Sequence, residues 1–479
     1  MYGFELEGMR RSGDFRLIPP RFQRYELFGG ERRDWSVFNC SVFNHLPGEF
    51  SWRLYYTAGD SCISGSQGAF VCESADGITW NEARPLLFSG IPSTVKVCHL
   101  SVLQPDCGDR KWRLFGWVFL PAENLIRYLM FSGDDGLEWQ VHDFDNPGLI
   151  HPMDREAGGK AGFERLIPHC SSLPDREVLS PEELFSRRFR LANDASTVNR
   201  LSGGGFEFFG VWLAENPIGG LHRAEMENVP SVYRIIQRRT SPDGINWSGP
   251  EIVLAPDDDD PPLFQFYNLT VTDLPELRIG LLDRYECERQ TLEPELIFCR
   301  DPRRWHRPFR RPFLPVKGEG ADAGMIHTAH NLVFEGNRVR LYYTVSHFHH
   351  NNSFLENPLP RQRSLRMVEF PADRYCGVDG SGRLDIPLIF FSAGRLTLNA
   401  EVRGEIRYEL LDINGAPLPG CGISESIPLR GNQANHCLRW RSTGGPVMKE
   451  CTLRLEMRDS TLYRINPLLK TKKHSNLER

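Results

Sequence analysis

Asp194 stands in LANDASTVNR (191–200), a carboxylate among small and β-branched residues whose pattern otherwise reads as a buried strand. Four other segments share its frame, a small or polar residue followed by roughly x-Ser/Thr-Val: NCSVF (39–43), HLSVL (99–103), NLTVT (268–272) and HNLVF (330–334). They bring Asn39, His99, Asn268 and His330 to one common position. Polar residues on strands that ought to be buried point to a site. Acid–base work on a substrate is commonly divided between two carboxylates facing it, one as acid and one as base or nucleophile. Asp194 is the first candidate. The second is sought in Glu286, which ends a strand in LLDRYECE, and Asp322, in the Gly-rich GEGADAGMIH. Asp60 and Glu215, at equivalent strand ends, are reserves. Asn193 and the imidazoles of HTAH (327–330) and HFHHNN (347–352), with His327, His330 and His347 foremost, suit binding of substrate hydroxyls or tuning of a carboxylate. The competing readings are a water-lined tunnel for the polar ring and a local turn cap for Asp194. A metal site is an alternative, since His is a common ligand, but the His spacing is not diagnostic, and neither metal nor cofactor is expected. APDDDDPP (255–262) reads as a solvated acidic loop, with calcium binding as the sharper alternative.

Such a ring needs repeated elements to hold it. About ten residues after each segment comes a strand rich in aromatic and branched residues: WRLYYTAGD (52–60), KWRLFGWVF (111–119), FEFFGVWLAE (206–215), LRIGLLDRYE (277–286) and RVRLYYTVSH (338–347). A third repeat is a turn closing on tryptophan. It reads CESADGITW at 72–80, FSGDDGLEW at 131–139, RRTSPDGINW at 238–247 and, degraded, FCRDPRRW at 298–305. In these turns Asp caps the backbone, Gly supplies positive φ, and Trp80, Trp139, Trp247 and Trp305 pack back between sheets. The spacing of Trp139 from Trp247 is nearly twice the others, which an insertion at about 145–190 explains. The fifth unit ends in SLRMVEF (364–370) instead. The expectation is all-β: a five-bladed β-propeller over 1–378, its turns knitting the blades together on the outside. In a propeller the innermost strand of each blade faces the axis, so equivalent residues meet at one mouth. Near 378 the composition shifts, and short strands with an Asn-Gly hairpin in DINGAPL predict a β-sandwich over 379–466. The polar tail 467–479 reads as disordered.

Composition bounds the partners. A net charge of −5 over 479 residues gives no basic face for nucleic acid. No run reaches the ~18 apolar residues of a membrane span. The first residues, MYGFELEGMRRSGDF, have no apolar leader core, and the 12 cysteines lack CxxC pairs. Both features lead to the expectation of a cytoplasmic protein with reduced thiols.

SGDDGLEW (132–139) resembles the Asp box of sialidase-type propellers, S-x-D-x-G-x-x-W; the other copies are one residue shorter. A five-bladed propeller followed by a β-sandwich resembles the invertase/levanase and arabinanase/β-xylosidase glycoside hydrolases. That resemblance implies a glycoside hydrolase with paired carboxylates at the mouth of the axis. The catalytic motifs of the invertases are not reproduced. Arg300-Asp301-Pro302 lies within the degraded turn, Glu286-Cys287 precedes it, and an N-terminal Asn-Asp-Pro is missing. The invertase roles are therefore not carried over. The alternatives are a carbohydrate-binding propeller without catalysis and a protein-interaction scaffold.

Overall fold

The computed structural model describes residues 10–29, 38–59, 67–93, 95–120, 125–152, 190–215, 232–261, 264–317, 324–346, 349–350, 363–388, 396–441 and 451–466. Its regular structure is β-strand, with a single 3-10 turn at Ile423–Glu425 and no α-helix among the described residues. No helix there is long and apolar enough to cross a membrane. Two compact units divide the chain: one comprises residues 24–335 and 340–369, the other residues 1–23, 336–339 and 370–479.

The larger unit is built from antiparallel meanders, and each repeat seen in the sequence is one of them. The first runs Phe38–Phe43, Trp52–Gly59, Gln67–Ser74, Arg84–Pro85. The second runs Lys96–Leu103, Trp112–Leu120, Leu125–Gly133, Glu138–Val141, with Leu87–Ser89 added in parallel to its last strand. Leu149–Pro152 also pairs with Leu125–Gly133, so residues 149–152 belong to this sheet rather than to an insertion. The third runs Arg190–Arg200, Phe206–Glu215, Val232–Ser241, Glu251–Leu254. The fourth begins Phe264–Leu274, Leu277–Glu286, Thr291–Cys299. It joins the fifth, Met325–Thr328, Arg338–Ser346, Arg363–Pro371, Gln23–Gly29, through one parallel pair, Leu292 with Met325.

The second strands read as nearly continuous apolar runs because both of their faces are covered. Tyr55 packs with Leu114 and Trp139 of the second meander, whereas Leu54 and Tyr56 pack with Tyr342 and Leu365 of the fifth. Phe115 and Trp117 meet Phe208 and Trp212 of the third, and Phe209 meets Phe266 and Leu282 of the fourth.

The tryptophan turns sit where this packing needs them. Asp76 accepts from the amides of Ile78 and Thr79 at 2.8 and 2.7 Å, and Ser74 Oγ accepts from Gly77 N at 2.9 Å. Gly77 has φ +72°, and a Cβ there would lie 2.7 Å from Tyr342 Oη. That hydroxyl donates to the Gly77 carbonyl at 2.8 Å, and Arg340 donates to the Asp76 carbonyl at 2.6 Å. The first turn is thus fastened to the fifth meander. The second turn is fastened to the first meander by Arg53 donating to the Asp135 carbonyl at 2.5 Å. Gly244 of the third turn lies against Phe115 of the second meander, and Trp305 of the fourth meets Phe209 of the third edge-on. In the second copy Asp135, beside the glycine, does the capping; Asp134, the residue matched to the Asp box, is exposed near Lys111.

The smaller unit is one five-stranded sheet, ordered Arg10–Ile18, Gly377–Leu388, Cys451–Asn466, Thr397–Leu411, Leu429–Cys437. The sequence reading assigned residues 1–378 to a single domain. Arg10–Ile18 instead pairs along its whole length with Gly377–Leu388, an association that no local pattern announces. Register shifts at Gly380/Gly382 and Val402/Glu405 bend its long strands. Its core gathers Leu384, Leu398, Tyr408, Leu410, Leu453 and Leu455. The 467–479 tail lies outside the described residues.

Candidate functional site

The leading strand of each meander carries a Ser, Thr or Asn that ties it to the next. Ser41 Oγ accepts from Val102 N at 3.3 Å, and Ser101 Oγ accepts from Val198 N at 2.9 Å. Asn199, with its amide nitrogen turned toward the carbonyls it faces, donates to Val271 O at 3.2 Å. Thr270 and Thr328 share a hydrogen bond of 3.3 Å, and Thr272 Oγ1 accepts from Leu332 N at 2.9 Å. His330 N donates to the Cys40 carbonyl at 2.8 Å, and Asn331 donates to the Val42 carbonyl at 2.7 Å. The fifth meander is thereby bonded to the first.

Each of the first four leading strands breaks register at or beside the residue singled out from sequence. Asn39 is the extra residue between Phe38 and Cys40, and His99 lies in the shift between Cys98 and Ser101. Asn193 and Asp194 lie in the shift between Leu191 and Ser196, and Tyr267 is the extra residue just before Asn268. In the fifth, the ladder ends at Thr328 and His330 bonds across to Cys40 instead. A bulge unpairs one residue and re-aims its side chain, and such features cluster next to active sites. His99 also has φ +51°, a conformation uncommon outside glycine.

Asp283 and His327 are the chemically distinctive pair. Asp283 lies on Leu277–Glu286 directly opposite Asn268, and its carboxylate is fully buried. His327, on Met325–Thr328, brings Nδ1 to 3.4 Å from Asp283 Oδ2. Among the described residues Asn268 and His327 act on the carboxylate, yet neither makes a hydrogen bond of good geometry to it, and Asn268 Oδ1 is likewise unsatisfied. Burial pushes the Asp283 carboxyl above the ordinary aspartate range, against the opposing pull of His327 and Asn268. Around the pair, Tyr267 Oη lies 2.9 Å from His350 Nε2, and the Arg234 guanidinium lies 5.2 Å from the ring centres of both Tyr267 and Tyr285. Gln265 Oε1 accepts from the amide and guanidinium of Arg234, each at 3.0 Å.

His330 is buried, with Nδ1 3.3 Å from Ser41 Oγ; burial first, and His99 second, push its imidazole down to about 3. It is therefore neutral at ordinary pH.

Of the residues picked from sequence, Asn268 and His327 are brought together through Asp283. His330 is coupled to His99. Glu286 is half-buried and paired with Arg289 at 3.3 Å. The backbones of Asn39, Asn193, Asp194 and Glu215 are described, but their side chains are not; Asp60, Asp322 and His347 lie outside the described residues. Asp283, Tyr267, Tyr285 and Arg234 were missed, while His350 belongs to the HFHHNN segment offered above. The signal for Asp283 was present in LRIGLLDRYE, a carboxylate amid an apolar strand, but candidates were sought at strand ends. Asp301 of the Arg-Asp-Pro match caps its turn by accepting from Arg303 N at 3.0 Å, a local structural task. The acidic loop is not merely solvated. Asp260 takes two bonds from Arg307, at 2.6 and 2.7 Å, and Asp257 two from Arg310, at 2.6 and 2.8 Å. Among the described residues no three His, Cys, Asp or Glu side chains converge as metal ligands.

No family model matches the sequence, and no curated protein matches it. Solved structures similar to this chain are glycoside hydrolases and other carbohydrate-active enzymes. One described as a glycoside hydrolase is 11% identical, covers 73% of this chain and 92% of its own, and has a TM-score of 0.47. An N-acetylgalactosamine deacetylase from F. plautii, in complex with blood group B trisaccharide, is 14% identical, with 76% and 96% covered and a TM-score of 0.46. A glycosyl hydrolase from Bacteroides ovatus is 13% identical, with 73% and 94% covered and a TM-score of 0.43.

Proposed function

We propose that this chain is a glycoside hydrolase that binds its sugar where the leading strands break register, in a five-bladed propeller. Support for the propeller comes from the cyclic bonding of the leading strands and from turns that each fasten to the preceding meander, the first to the last. The bent sheet of the smaller unit, folded over its own core, is the β-sandwich of this reading. The observation that carries the function is the coincidence of bulges at Asn39, His99, Asn193/Asp194 and Tyr267/Asn268. Strands bonded in a cycle set equivalent bulges at equal height, and so present polar side chains to one pit.

Asp194 is one carboxylate of the reaction. The other comes from the fourth or fifth meander, with Glu286, Asp322 and Asp283 as its candidates. Asn39, Asn193, Asn268, His99, His330 and His347 bind sugar hydroxyls or shape the pit. Screening aryl glycosides with the full chain tests this. Hydrolysis of at least one is expected, with a loss of at least ~100-fold in Asp194→Asn, the lower end for removing an acid–base group. Full activity in the folded variant removes Asp194 from the mechanism. Sugar binding at the pit with no hydrolysis of any glycoside favours a binding module instead.

A further inference from the structure

We propose that the proton delivered to the departing sugar oxygen comes from His327, and that Asp283, whose carboxylate stands 3.4 Å from Nδ1, is the positioning residue that backs the imidazole on that side and leaves Nε2 to work. This rests on the glycoside hydrolase reading and deepens it, because the carboxylate of the fourth meander then acts through an imidazole rather than on the sugar.

Three observations carry it. Asp283 is fully buried beneath the strand bulge, with both oxygens lacking a well-formed hydrogen bond. A buried polar group left so in a folded protein calls for a reason. Second, the ionisable side chain it approaches is His327, at Nδ1 and 3.4 Å, from a different meander. Placing a carboxylate behind an imidazole selects one tautomer and stabilises the protonated ring. Third, Glu286, the carboxylate at the end of the same strand, is engaged by Arg289.

Among the described residues the groups facing the pair are Tyr267 and Asn268 from the leading strand, Tyr285 beside Asp283, Thr344 opposite His327, His350 against both tyrosines, and the Arg234 cation over their rings. The step balances without a further reagent. The Nε2–H bond breaks, its proton goes to the glycosidic oxygen, and the sugar–oxygen bond opens with its electron pair on that oxygen. Water adds to the anomeric carbon and gives its proton to the Asp194 carboxylate. Return of that proton through solvent to Nε2 resets the site.

The test uses the full-length protein with histidine ring-nitrogen labelling and aryl glycosides of graded leaving groups. The ring signal of His327 is assigned by its disappearance in His327→Gln. In Asp283→Asn the tautomer balance of the ring, read from its two nitrogen shifts at one pH, is expected to change, because the carboxylate behind Nδ1 is gone. The kcat for a phenyl glycoside should fall with it, with KM little changed. In His327→Gln, hydrolysis of a phenyl glycoside should fall at least about tenfold more than that of a 2,4-dinitrophenyl glycoside, because a good leaving group needs no proton. A merely structural histidine would slow both equally, and that result overturns the inference. So does an unchanged His327 tautomer balance in a folded Asp283→Asn. If every glycoside is inert with the unmutated chain, the function reading fails and with it the proton delivery, whatever the ring signals show.

Discussion

His330→Gln should flatten the acid sensitivity of the larger unit. In the folded chain the imidazole is buried against Ser41, and burial together with His99 pushes it down to about 3 from the ordinary 6.5. The unfolded chain takes up a proton as pH falls through about 6.5, whereas the folded chain does not until about 3. The depressed ring therefore contributes stability that is fully present above about 6.5 and is lost on acidification across that window. One proton of difference is worth ~1.4 kcal/mol per pH unit. At pH 5, about 1.5 units into the window, the loss is ~2 kcal/mol. The assay is urea unfolding followed by tryptophan fluorescence at pH 7.5 and pH 5.0, because Trp52, Trp112, Trp117 and Trp247 all report from this unit. Replacing the ring has its own packing cost, but comparing each protein with itself at two pH values cancels it. The unmutated chain should lose ~2 kcal/mol more on acidification than the variant, with similar urea slopes. Equal losses would refute the reasoning, because the ring would then titrate alike in both states.

Two further substitutions probe the frame. Trp139→Ala should destabilise by ~3–5 kcal/mol, as for truncating a buried aromatic; the ring is buried and meets Tyr55 edge-on at 6.2 Å. Calorimetry checks the loss, and sugar affinity of the remaining folded protein should be unchanged; normal folding with lost binding would put the turn in the site. Arg307→Ala takes the nearest cation from the buried carboxylates of Asp260 and Glu295, which it reaches at 2.6 and 2.8 Å, and leaves them Arg310 at 3.7 Å and Arg284 at 3.3 Å. Removing one partner of a buried ion pair costs ~3–5 kcal/mol, here an upper bound, and a chemical denaturation midpoint unchanged from the parent would show that the network carries no such weight.

Much of the frame was legible because its signals are local. Alternation and aromatic richness mark WRLYYTAGD and its four counterparts as strands, and the Asp-Gly turn before Trp247 needs only five or six neighbouring residues to form. The polar residues at Asn39, His99, Asp194 and Asn268 stood out for the same reason, as breaks in a period of two. What those breaks do depends on register, which is a property of two strands: Tyr267 becomes an extra residue only because Phe266 pairs with Arg284 and Asn268 with Asp283. The Asp283–His327 pair lay beyond the sequence because its members come from different meanders, and a carboxylate's depth is set by everything packed above it. The same is true of Asp260, which looks solvated until Arg307 arrives from the far side of a tryptophan turn. Arg10–Ile18 joins a sheet whose other strands begin only at Gly377, a pairing favoured by no local preference and decided only when the whole chain has folded.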